Sequence, residues 1–481
     1  MNVVLFLTDQ ERSIQHFPPD WERRNLPGLT RLKGNGLSFD NAFTNACMCS
    51  PARSTLMTGY FPPQHGVKYT LEEDMTRPKN PQYPLPVDLK NIASVASAAG
   101  YNVIYKGKWH CSKPAGSDWE PSDLATYGFQ RWDPPDAGAN QDPDQAGGGT
   151  ANNDGRFMHQ HGRWQDGDEG ALKYLIEEAA RQQPFFLIIS LVNPHDVLFY
   201  PSNYKDNGYD SSWLLGDIGV PETIDENLST KPHVQQQFLD ITNLGLGQLS
   251  TRRMQRHYLN FYGNLMKLQD RYLVRVLDTL EALGLRDNTL IIRTSDHGEM
   301  GLAHGGLRQK NFNFYEETLR VPLVYSNPLL YRKPHSVKGL VSHVDFLPTL
   351  ASLLDAPATA RADWQGIDYS TTVLDAQESF IQDYIVFTYD DFQSGQAHGP
   401  YPTAPNHIVS IREQQFKLAE YYDADGVVPS EWEMYDLALD PLETTNLAYQ
   451  IASQPASVRR EFKRLREKLR AVQATRLQPL G

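Results

Sequence analysis

The sequence is poor in cysteine, with three residues, Cys47, Cys49 and Cys111, among 481. Three cysteines are too few for a disulfide framework, and such usage is typical of a reducing compartment. Long hydrophobic runs are also absent, and none approaches the length of a transmembrane helix. The first apolar stretch, residues 3–7, has no basic flank, so it indicates a strand and not a signal peptide. We therefore expect a cytoplasmic protein without a membrane partner.

The chain also has fewer basic than acidic side chains. The 45 Lys and Arg residues stand against 58 Asp and Glu residues, which gives a formal net charge of −13. A polyanionic partner such as nucleic acid selects for basic patches, so this balance argues against one. An anionic small molecule would have to be held by local cations or by a metal ion, against the overall field of the protein.

Strand and helix patterns alternate along the first three quarters of the chain, which predicts an α/β sandwich with a large, mostly parallel central sheet. Continuous apolar runs at residues 2–8, 184–192 and 289–294 are typical of strands that are covered on both faces. A helix is predicted over residues 170–183. From residue 254 to 280 apolar side chains recur at helical spacing, which predicts one long amphipathic helix.

The pattern changes beyond about residue 375. Strand signals at residues 384–389, 407–412, 416–422 and 434–437 are separated by turn-rich stretches, which predicts a small antiparallel sheet. A final helix follows, and the apolar residues on its inner face are Val458, Phe462, Leu465, Leu469 and Val472. Because the chain exceeds the size of a single hydrophobic core, we predict a large domain over residues 1–375 and a C-terminal subdomain over residues 376–481.

Two long segments between these elements have no clear periodicity. Residues 133–156 are dense in Pro, Gly, Asp and Asn, which predicts an exposed loop, either an ordinary surface insertion or a lid over a pocket. Residues 197–250 contain many aromatic and proline residues, and we expect them to shape the choice of substrate.

Polar side chains follow the predicted parallel strands at the points where these strands end. The residues concerned are Asp9, Gln10, His195, Asp296 and His297. Ligands of open α/β sheets collect at the carboxyl ends of the strands. Carboxylate oxygens and imidazole nitrogens are common metal ligands. Asp9 is therefore placed where a metal ligand would lie, although Asp9 alone would be read as an acidic helix cap after a strand.

A CxPxR pattern, formed by Cys49, Pro51 and Arg53, lies at the predicted start of a helix. The surrounding segment, residues 47–59, resembles the signature of the type I sulfatases, in which the cysteine is oxidised after translation to formylglycine. The resemblance extends along most of the chain, through GKWH at residues 107–110, NPHD at 193–196, SDHGE at 295–299, the segment at 307–317 and the closing segment at 433–447. The nearest motifs are those of choline-sulfatase and arylsulfatase-like members.

The resemblance implies an alkaline-phosphatase-like fold and a sulfuric ester hydrolase that acts on a small-molecule sulfate monoester. Residues 1–375 would then be the catalytic sulfatase domain. Cys49 would be the precursor of the nucleophile: one hydroxyl of the formylglycine hydrate attacks sulfur, and the other collapses to the carbonyl and expels sulfate. A separate formylglycine-generating enzyme would be a partner in maturation. A homo-oligomer is compatible with this reading.

Roles are also implied for residues that match the other family motifs. Lys108 would grip the sulfate as a fixed positive charge, and His110 would be the base that triggers collapse of the sulfated hydrate. His195 would touch the bridging oxygen of the ester, and Lys310 would stabilise or protonate the departing alkoxide. Arg53 would hold the oxygen of the nucleophile and offset the charge of the metal ligands.

One divalent metal is implied, with Asp9, Gln10, Asp296 and His297 as its ligands alongside the modified Cys49. The family commonly has a second aspartate where this chain has Gln10, and the glutamine is similar to the choline-sulfatase and phosphonate-monoesterase branches. Oxygen ligands make calcium the first choice, with manganese or magnesium as alternatives, and the imidazole also admits zinc.

Two other functions stay open at this point. A phosphonate monoester or phosphodiester hydrolase of the same superfamily shares Gln10 and the Asp296–His297 pair, although that branch tends to lack GKWH. A non-catalytic binding protein on the same scaffold needs only that Cys49 remains a thiol. Two further histidines, His304 and His343, are expected to be structural.

Overall fold

The computed structural model describes residues 1–13, 16–72, 82–159, 169–177, 183–377, 380–396 and 398–480. Its strands are β1 (Asn2–Asp9), β2 (Gly36–Phe39), β3 (Ala42–Phe43), β4 (Ala46–Cys47), β5 (Asn102–Gly107), β6 (Phe185–Pro194), β7 (Thr289–Ser295), β8 (Leu323–Ser326), β9 (His335–Val337), β10 (Val341–Ser342), β11 (Tyr384–Tyr389), β12 (His407–Glu413), β13 (Phe416–Tyr422) and β14 (Glu431–Asp436).

Its helices are α1 (Trp21–Asn25), α2 (Pro27–Gly34), α3 (Cys49–Thr58), α4 (Pro62–His65), α5 (Ile92–Ala98), α6 (Pro121–Ala125), α7 (Asn153–His159), α8 (Ala171–Glu177), α9 (His233–Leu246), α10 (Arg252–Ala282), α11 (Ala303–Gly306), α12 (Glu316–Leu319), α13 (Phe346–Leu353), α14 (Ser370–Asp375) and α15 (Ala456–Arg476). Short 3-10 turns and loops connect these elements.

The central sheet has seven strands in the order β5-β6-β1-β7-β8-β2-β9. Strands β5, β6, β1 and β7 are mutually parallel, whereas β8 runs antiparallel to both of its neighbours. Every residue of β1 is buried, as expected of a strand that is covered on both faces. The predicted α/β class and the mostly parallel sheet are confirmed.

Helices cover both faces of this sheet. Alternation along β1 sends Phe6 into the core beneath α10 and Leu5 into the core beneath α5 and α13. Helix α10 is the predicted long amphipathic helix, and it is capped by the Thr251 hydroxyl, which accepts the N–H of Met254 at 3.2 Å. This sandwich brings the carboxyl ends of β1, β6 and β7 to one edge.

The C-terminal sheet has the order β14-β13-β12-β11-β4, and β11 to β14 are antiparallel as predicted. Helix α15 packs on it through the apolar face that the sequence predicts. The fifth strand, β4, comes from the other end of the chain, and Cys47 pairs with Tyr389 of β11. The sheet therefore holds the segment that leads directly into Cys49. The division of the chain at residue 375 stays a prediction.

The segment 133–156, predicted to be an exposed loop, is exposed only in part. Residues 141–144 are exposed, whereas Asp136, Gly147 and Asp154 are buried. The Asp154 carboxylate accepts the backbone N–H groups of Val192 at 2.6 Å and Asn193 at 3.1 Å. Polar side chains of this segment thus satisfy backbone groups at the end of β6, so a polar composition is compatible with burial. Whether the segment acts as a lid stays a prediction.

The helix predicted over residues 170–183 is observed as α8, which ends at Glu177, and residues 178–182 lie outside the described part of the chain. The segment from 197 to 250 forms several short 3-10 turns and then α9. No helix within the described residues combines the length and the apolar character needed to cross a membrane.

Candidate active site

Four side chains converge where β1 and β7 end and α3 begins. Asp9 is the last residue of β1, Asp296 and His297 directly follow β7, and Cys49 is the first residue of α3. One ligand atom from each lies within 4.8 Å of the others. The Cys49 Sγ is 3.1 Å from His297 Nε2 and 3.5 Å from Asp9 Oδ1. All four side chains are buried, and they lie around one centre. Their roles as metal ligands and nucleophile stay predictions.

Two buried cations lie against the two carboxylates. Arg53 lies one turn along α3 from Cys49. Its guanidinium donates from Nη2 to Asp9 at 3.1 Å and from Nε to Asp296 at 2.9 Å. The Lys108 ammonium is 2.6 Å from the same Asp9 oxygen that Arg53 contacts. Each carboxylate thus has a positive partner, which is the condition for burying charge at acceptable cost.

These contacts keep Asp9 and Lys108 ionised at neutral pH. Burial acts to raise the pKa of Asp9, but Lys108 and Arg53 outweigh it and hold that pKa well below the usual value. Burial acts to lower the pKa of Lys108, and the attraction of Asp9 overcomes it, so the pKa is raised. Lys108 is therefore a permanent positive charge beside Cys49.

The imidazole of His297 is oriented to present a lone pair to the centre. Its Nδ1 lies 3.0 Å from the carbonyl oxygen of Gly298, which assigns the proton to Nδ1 and leaves Nε2 facing Cys49. Burial lowers the pKa of His297, although Asp296 opposes this effect, so the ring is neutral at neutral pH. Two carboxylates and a neutral imidazole form a donor set that suits a divalent metal ion.

Gln10 is held by hydrogen bonds that fix both ends of its amide. Its Nε2 donates to Glu299 at 2.5 Å, and its Oε1 accepts from the Lys310 ammonium at 2.5 Å. Its backbone N–H donates to Asp296 at 3.0 Å. The amide oxygen thus faces Lys310, and the metal-ligand role of Gln10 stays a prediction. The sequence analysis missed Glu299, although it lies two residues after His297 in the same strand-end segment.

His110 has its backbone in the left-handed region, at φ +52. The Asp136 carboxylate accepts the backbone N–H groups of Trp109 at 2.8 Å and His110 at 2.7 Å, which holds this turn. The His110 Nε2 lies 3.2 Å from the carbonyl oxygen of Leu71, and Nδ1 has no hydrogen-bond partner among the described residues. Burial, with Lys108, holds the pKa of His110 well below its usual value, so Nδ1 is a free base at neutral pH.

A cavity of about 380 Å³ opens over Cys49. Its lining includes three further residues predicted for the site, His110, His195 and Lys310. Burial holds the pKa of His195 well below its usual value, and Lys108 and Lys310 add to this effect while Asp9 opposes it. Of the local cations expected from the acidic composition, Lys310 lines the cavity, whereas Lys108 and Arg53 are buried against Asp9.

His304 and His343, which were expected to be structural, do not line this cavity. The His304 ring stacks on Tyr315 with 3.6 Å between the ring centroids, and its Nδ1 lies 2.7 Å from Glu226. His343 is buried beside the backbone of Ser295. Asp136 was also missed by the sequence analysis, because it lies in the segment that was predicted to be an exposed loop.

Comparison with known proteins agrees with this site. The Sulfatase family profile matches residues 1–356, and the profile described as N-sulphoglucosamine sulphohydrolase, C-terminal, matches residues 304–474. Arylsulfatase K of Canis lupus familiaris is 25% identical over 459 residues, which are 93% of this chain and 79% of the relative.

Two solved structures share the fold. A 2-O GAG sulfatase superposes with a TM-score of 0.71 at 20% identity and covers 97% of this chain and 91% of its own. The phosphonate monoester hydrolase of Agrobacterium radiobacter superposes with a TM-score of 0.68 at 22% identity, and the match covers 98% of this chain and 95% of that protein. Since the Sulfatase profile spans most of the sequence and the site residues converge, the chain belongs to the sulfatase family and is a sulfuric ester hydrolase.

Proposed function

We propose that the chain hydrolyses a sulfate monoester by means of a formylglycine made from Cys49 and one divalent metal ion, with calcium as the first choice. The observation that carries this proposal is the convergence of Asp9, Cys49, Asp296 and His297 within 4.8 Å, with Cys49 lining a cavity. No second arrangement of this kind lines the cavity among the described residues.

The state of the Cys49 thiol supports its conversion. Burial, together with Asp9, raises the pKa of Cys49 to about 11, so the unmodified side chain is a protonated thiol at neutral pH. A protonated thiol is a weak nucleophile. Formylglycine supplies a hydrated aldehyde, one hydroxyl of which attacks sulfur while the other later gives up its proton and expels sulfate with cleavage of the carbon–oxygen bond.

Asp9, Asp296 and His297 would hold the metal ion, and Gln10 is proposed as a further ligand through its amide oxygen. When bound, the metal supplies positive charge that draws electron density from the sulfate oxygens and favours ionisation of the nucleophile. Carboxylate oxygens favour calcium or magnesium, whereas the imidazole of His297 leaves manganese as an alternative.

The remaining residues hold charge and move protons. Lys108 supplies a fixed positive charge toward the sulfate, and Arg53 fixes the two carboxylates beside the nucleophile. Lys310 and His195 line the cavity where the alcohol leaves, so they stabilise or protonate the departing oxygen. His110, with its free Nδ1, accepts the proton that is lost when the sulfated hydrate collapses.

Two measurements test this proposal. The chain is co-expressed with a formylglycine-generating enzyme, and the peptide that spans Cys49 is analysed by mass spectrometry, with the peptide that spans Cys111 as the internal control. Turnover of 4-nitrophenyl sulfate is then compared with turnover of a phosphodiester that has the same leaving group. We expect an aldehyde at residue 49 alone and preference for the sulfate ester.

Other outcomes have distinct meanings. Faster turnover of the phosphodiester would favour the phosphonate monoester and phosphodiester branch, whose members share this fold. A peptide that carries only cysteine after expression in the native cell would favour a binding protein on this scaffold. The cytoplasmic location is proposed on the sequence features alone, and fractionation of native cells checks it.

A further inference from the structure

The cavity over Cys49 has two unlike walls above its cationic floor. One wall is apolar, with Leu198, Phe238, Ile241 and Leu246. The facing wall is polar, with Thr70, Glu72, Ser394, Gly395 and Gln396. A sulfate group at the floor leaves most of the cavity for the alcohol, so the two walls contact that part of the substrate.

Glu72 carries the one carboxylate among the described residues that line this cavity. The residue is 8% exposed, and it lines the cavity, where a ligand that donates a hydrogen bond can reach its side chain. Burial raises the pKa of Glu72, and Lys108 and Lys310 oppose this rise only in part. A hydrogen-bond donor or a cation on the ligand would favour the ionised form of this carboxyl group.

Hydrogen bonds hold the residues that precede Glu72. The Thr70 N–H donates to Asp391 at 2.9 Å, and the Leu71 N–H donates to the Ser50 hydroxyl at 3.0 Å, which ties the segment to the start of α3. A Cβ on Gly395 would lie 3.2 Å from Glu72 Oε1, so the backbone of that turn lies close to the carboxyl group.

The charge of the upper cavity is negative or neutral. Lys310, at the floor, is the one lysine or arginine among the described lining residues. A second anionic group on the alcohol would meet Glu72 with no cation beside it, whereas a hydroxyl or ammonium group would find an acceptor. The backbone of Leu71 contacts His110, so Glu72 lies beside the reacting end of the cavity.

We propose that Glu72 determines substrate specificity: it accepts a hydrogen bond from a hydroxyl or ammonium group of the alcohol and disfavours alcohols that carry a second anionic group. This inference rests on the proposed sulfatase function of the same cavity. The substrate class is thus the monosulfate of a polyol or an amino alcohol, with the donor group on an atom close to the ester.

The test uses four chromogenic esters built on one leaving group: 4-nitrophenyl sulfate and its 2-hydroxymethyl, 2-aminomethyl and 2-carboxy derivatives. Each is assayed with the converted wild-type protein, with Glu72→Gln and with Gln141→Ala, a neutral substitution at the same cavity. Taking the ratio of variant to wild-type kcat/KM for each ester cancels differences in leaving-group reactivity. Circular dichroism checks the fold of both variants.

We expect Glu72→Gln to lower kcat/KM for the aminomethyl and hydroxymethyl esters roughly tenfold or more, through KM, and to raise it for the carboxy ester. The unsubstituted ester should change less than the two donor-bearing esters, because it has no donor group that contacts Glu72. Gln141→Ala should leave the order of the four esters unchanged.

Two results would overturn the role of Glu72. One is a ratio of variant to wild-type kcat/KM that is the same for all four esters, and the other is no turnover of either donor-bearing ester by the wild-type protein. If Glu72→Gln fails to fold, the kcat/KM values of the wild-type protein decide the question. A higher kcat/KM for the carboxy ester than for the aminomethyl ester contradicts the proposal. Failure of the converted protein to hydrolyse any of the four esters is a different result, which rejects the sulfatase function itself.

Discussion

The carboxylate of Asp136 accepts the backbone N–H of His110 at 2.7 Å, and it accepts the N–H of Trp109 at 2.8 Å as well. His110 has a positive φ, a conformation that a residue with a side chain rarely adopts without support. Asp136 supplies that support with both of its oxygens. The base proposed for sulfate release is thus positioned by a residue that does not itself line the cavity.

We expect Asp136→Asn to reduce kcat roughly tenfold or more and to change KM little. The two N–H groups are bound by different oxygens of Asp136, and the amide replaces one of these oxygens with an NH2 group, which cannot accept, so one N–H is left unsatisfied. The matched control is Asp133→Asn, because Asp133 is equally buried and pairs with Lys106 instead. Steady-state kinetics with 4-nitrophenyl sulfate make the comparison, and equal loss of kcat in both variants would contradict the positioning role.

Lys108 and Lys106 offer a comparison of two buried lysines two residues apart. Lys108 contacts Asp9 at the site, whereas Lys106 pairs with Asp133 at 2.7 Å and Glu169 at 3.0 Å. Loss of one preorganised charge costs on the order of a few kcal/mol of transition-state stabilisation, so Lys108→Met should lower kcat/KM by about a hundredfold or more. Lys106→Met should reduce stability but keep turnover of the folded protein. Near-normal turnover by Lys108→Met would show that its placement in the mechanism is wrong.

Removal of the metal should lower the melting temperature. Without an ion, Asp9 and Asp296 rely on Arg53 and Lys108 alone, and an ion that binds only the folded state adds stability by mass action. We expect chelation to lower Tm, calcium to restore it, and His297→Asn to weaken the restoring effect. His343→Asn is the control, since His343 is buried nearby but does not belong to the converging group. A larger recovery with manganese would change the metal assignment, and a Tm unaffected by chelation would contradict the site.

His304 should make stability depend on pH in the alkaline range. Burial opposes its protonation, but the carboxylates of Glu226 and Glu317 outweigh this and raise the pKa to about 9. Its stabilising contribution is fully present below the unfolded pKa of about 6.5 and is lost as pH rises through 9, and it amounts to about 3 kcal/mol at most. His304→Asn should lack this decline. Urea unfolding of both proteins at pH 6, 7.5 and 9.5 makes the measurement, and parallel pH profiles would refute the assignment.

Much of the fold was accessible from the sequence because the signals are local. Strand β7 ends where a continuous apolar run stops, and its polar end places Asp296 and His297 at the edge of the sheet. The amphipathic pattern of α10 and the apolar face of α15 could also be predicted from the spacing of apolar residues in the sequence. The rule that ligands collect at the carboxyl ends of parallel strands indicated the position of Asp9. The place of Cys49, Asp296 and His297 in the same site was implied by the resemblance to the type I sulfatases.

The parts that could not be predicted depend on partners far away in the chain. Strand β4 has two residues, too few for any periodicity, and it exists because β11 offers hydrogen bonds. Asp136 and Asp154 look like loop residues until the backbone N–H groups they accept are known. The orientation of the Gln10 amide is set by Glu299 and Lys310, which no spacing rule connects to it.

The pairing of β4 with β11 has a consequence for the order of events during synthesis. Cys49 is 1% exposed in the folded protein, so an enzyme that modifies it needs the segment before it is enclosed. Strand β11, which pairs with this segment, lies far behind it in the chain and is therefore synthesised well after Cys49. The conversion proposed for Cys49 would thus have time to take place before β4 finds its partner strand.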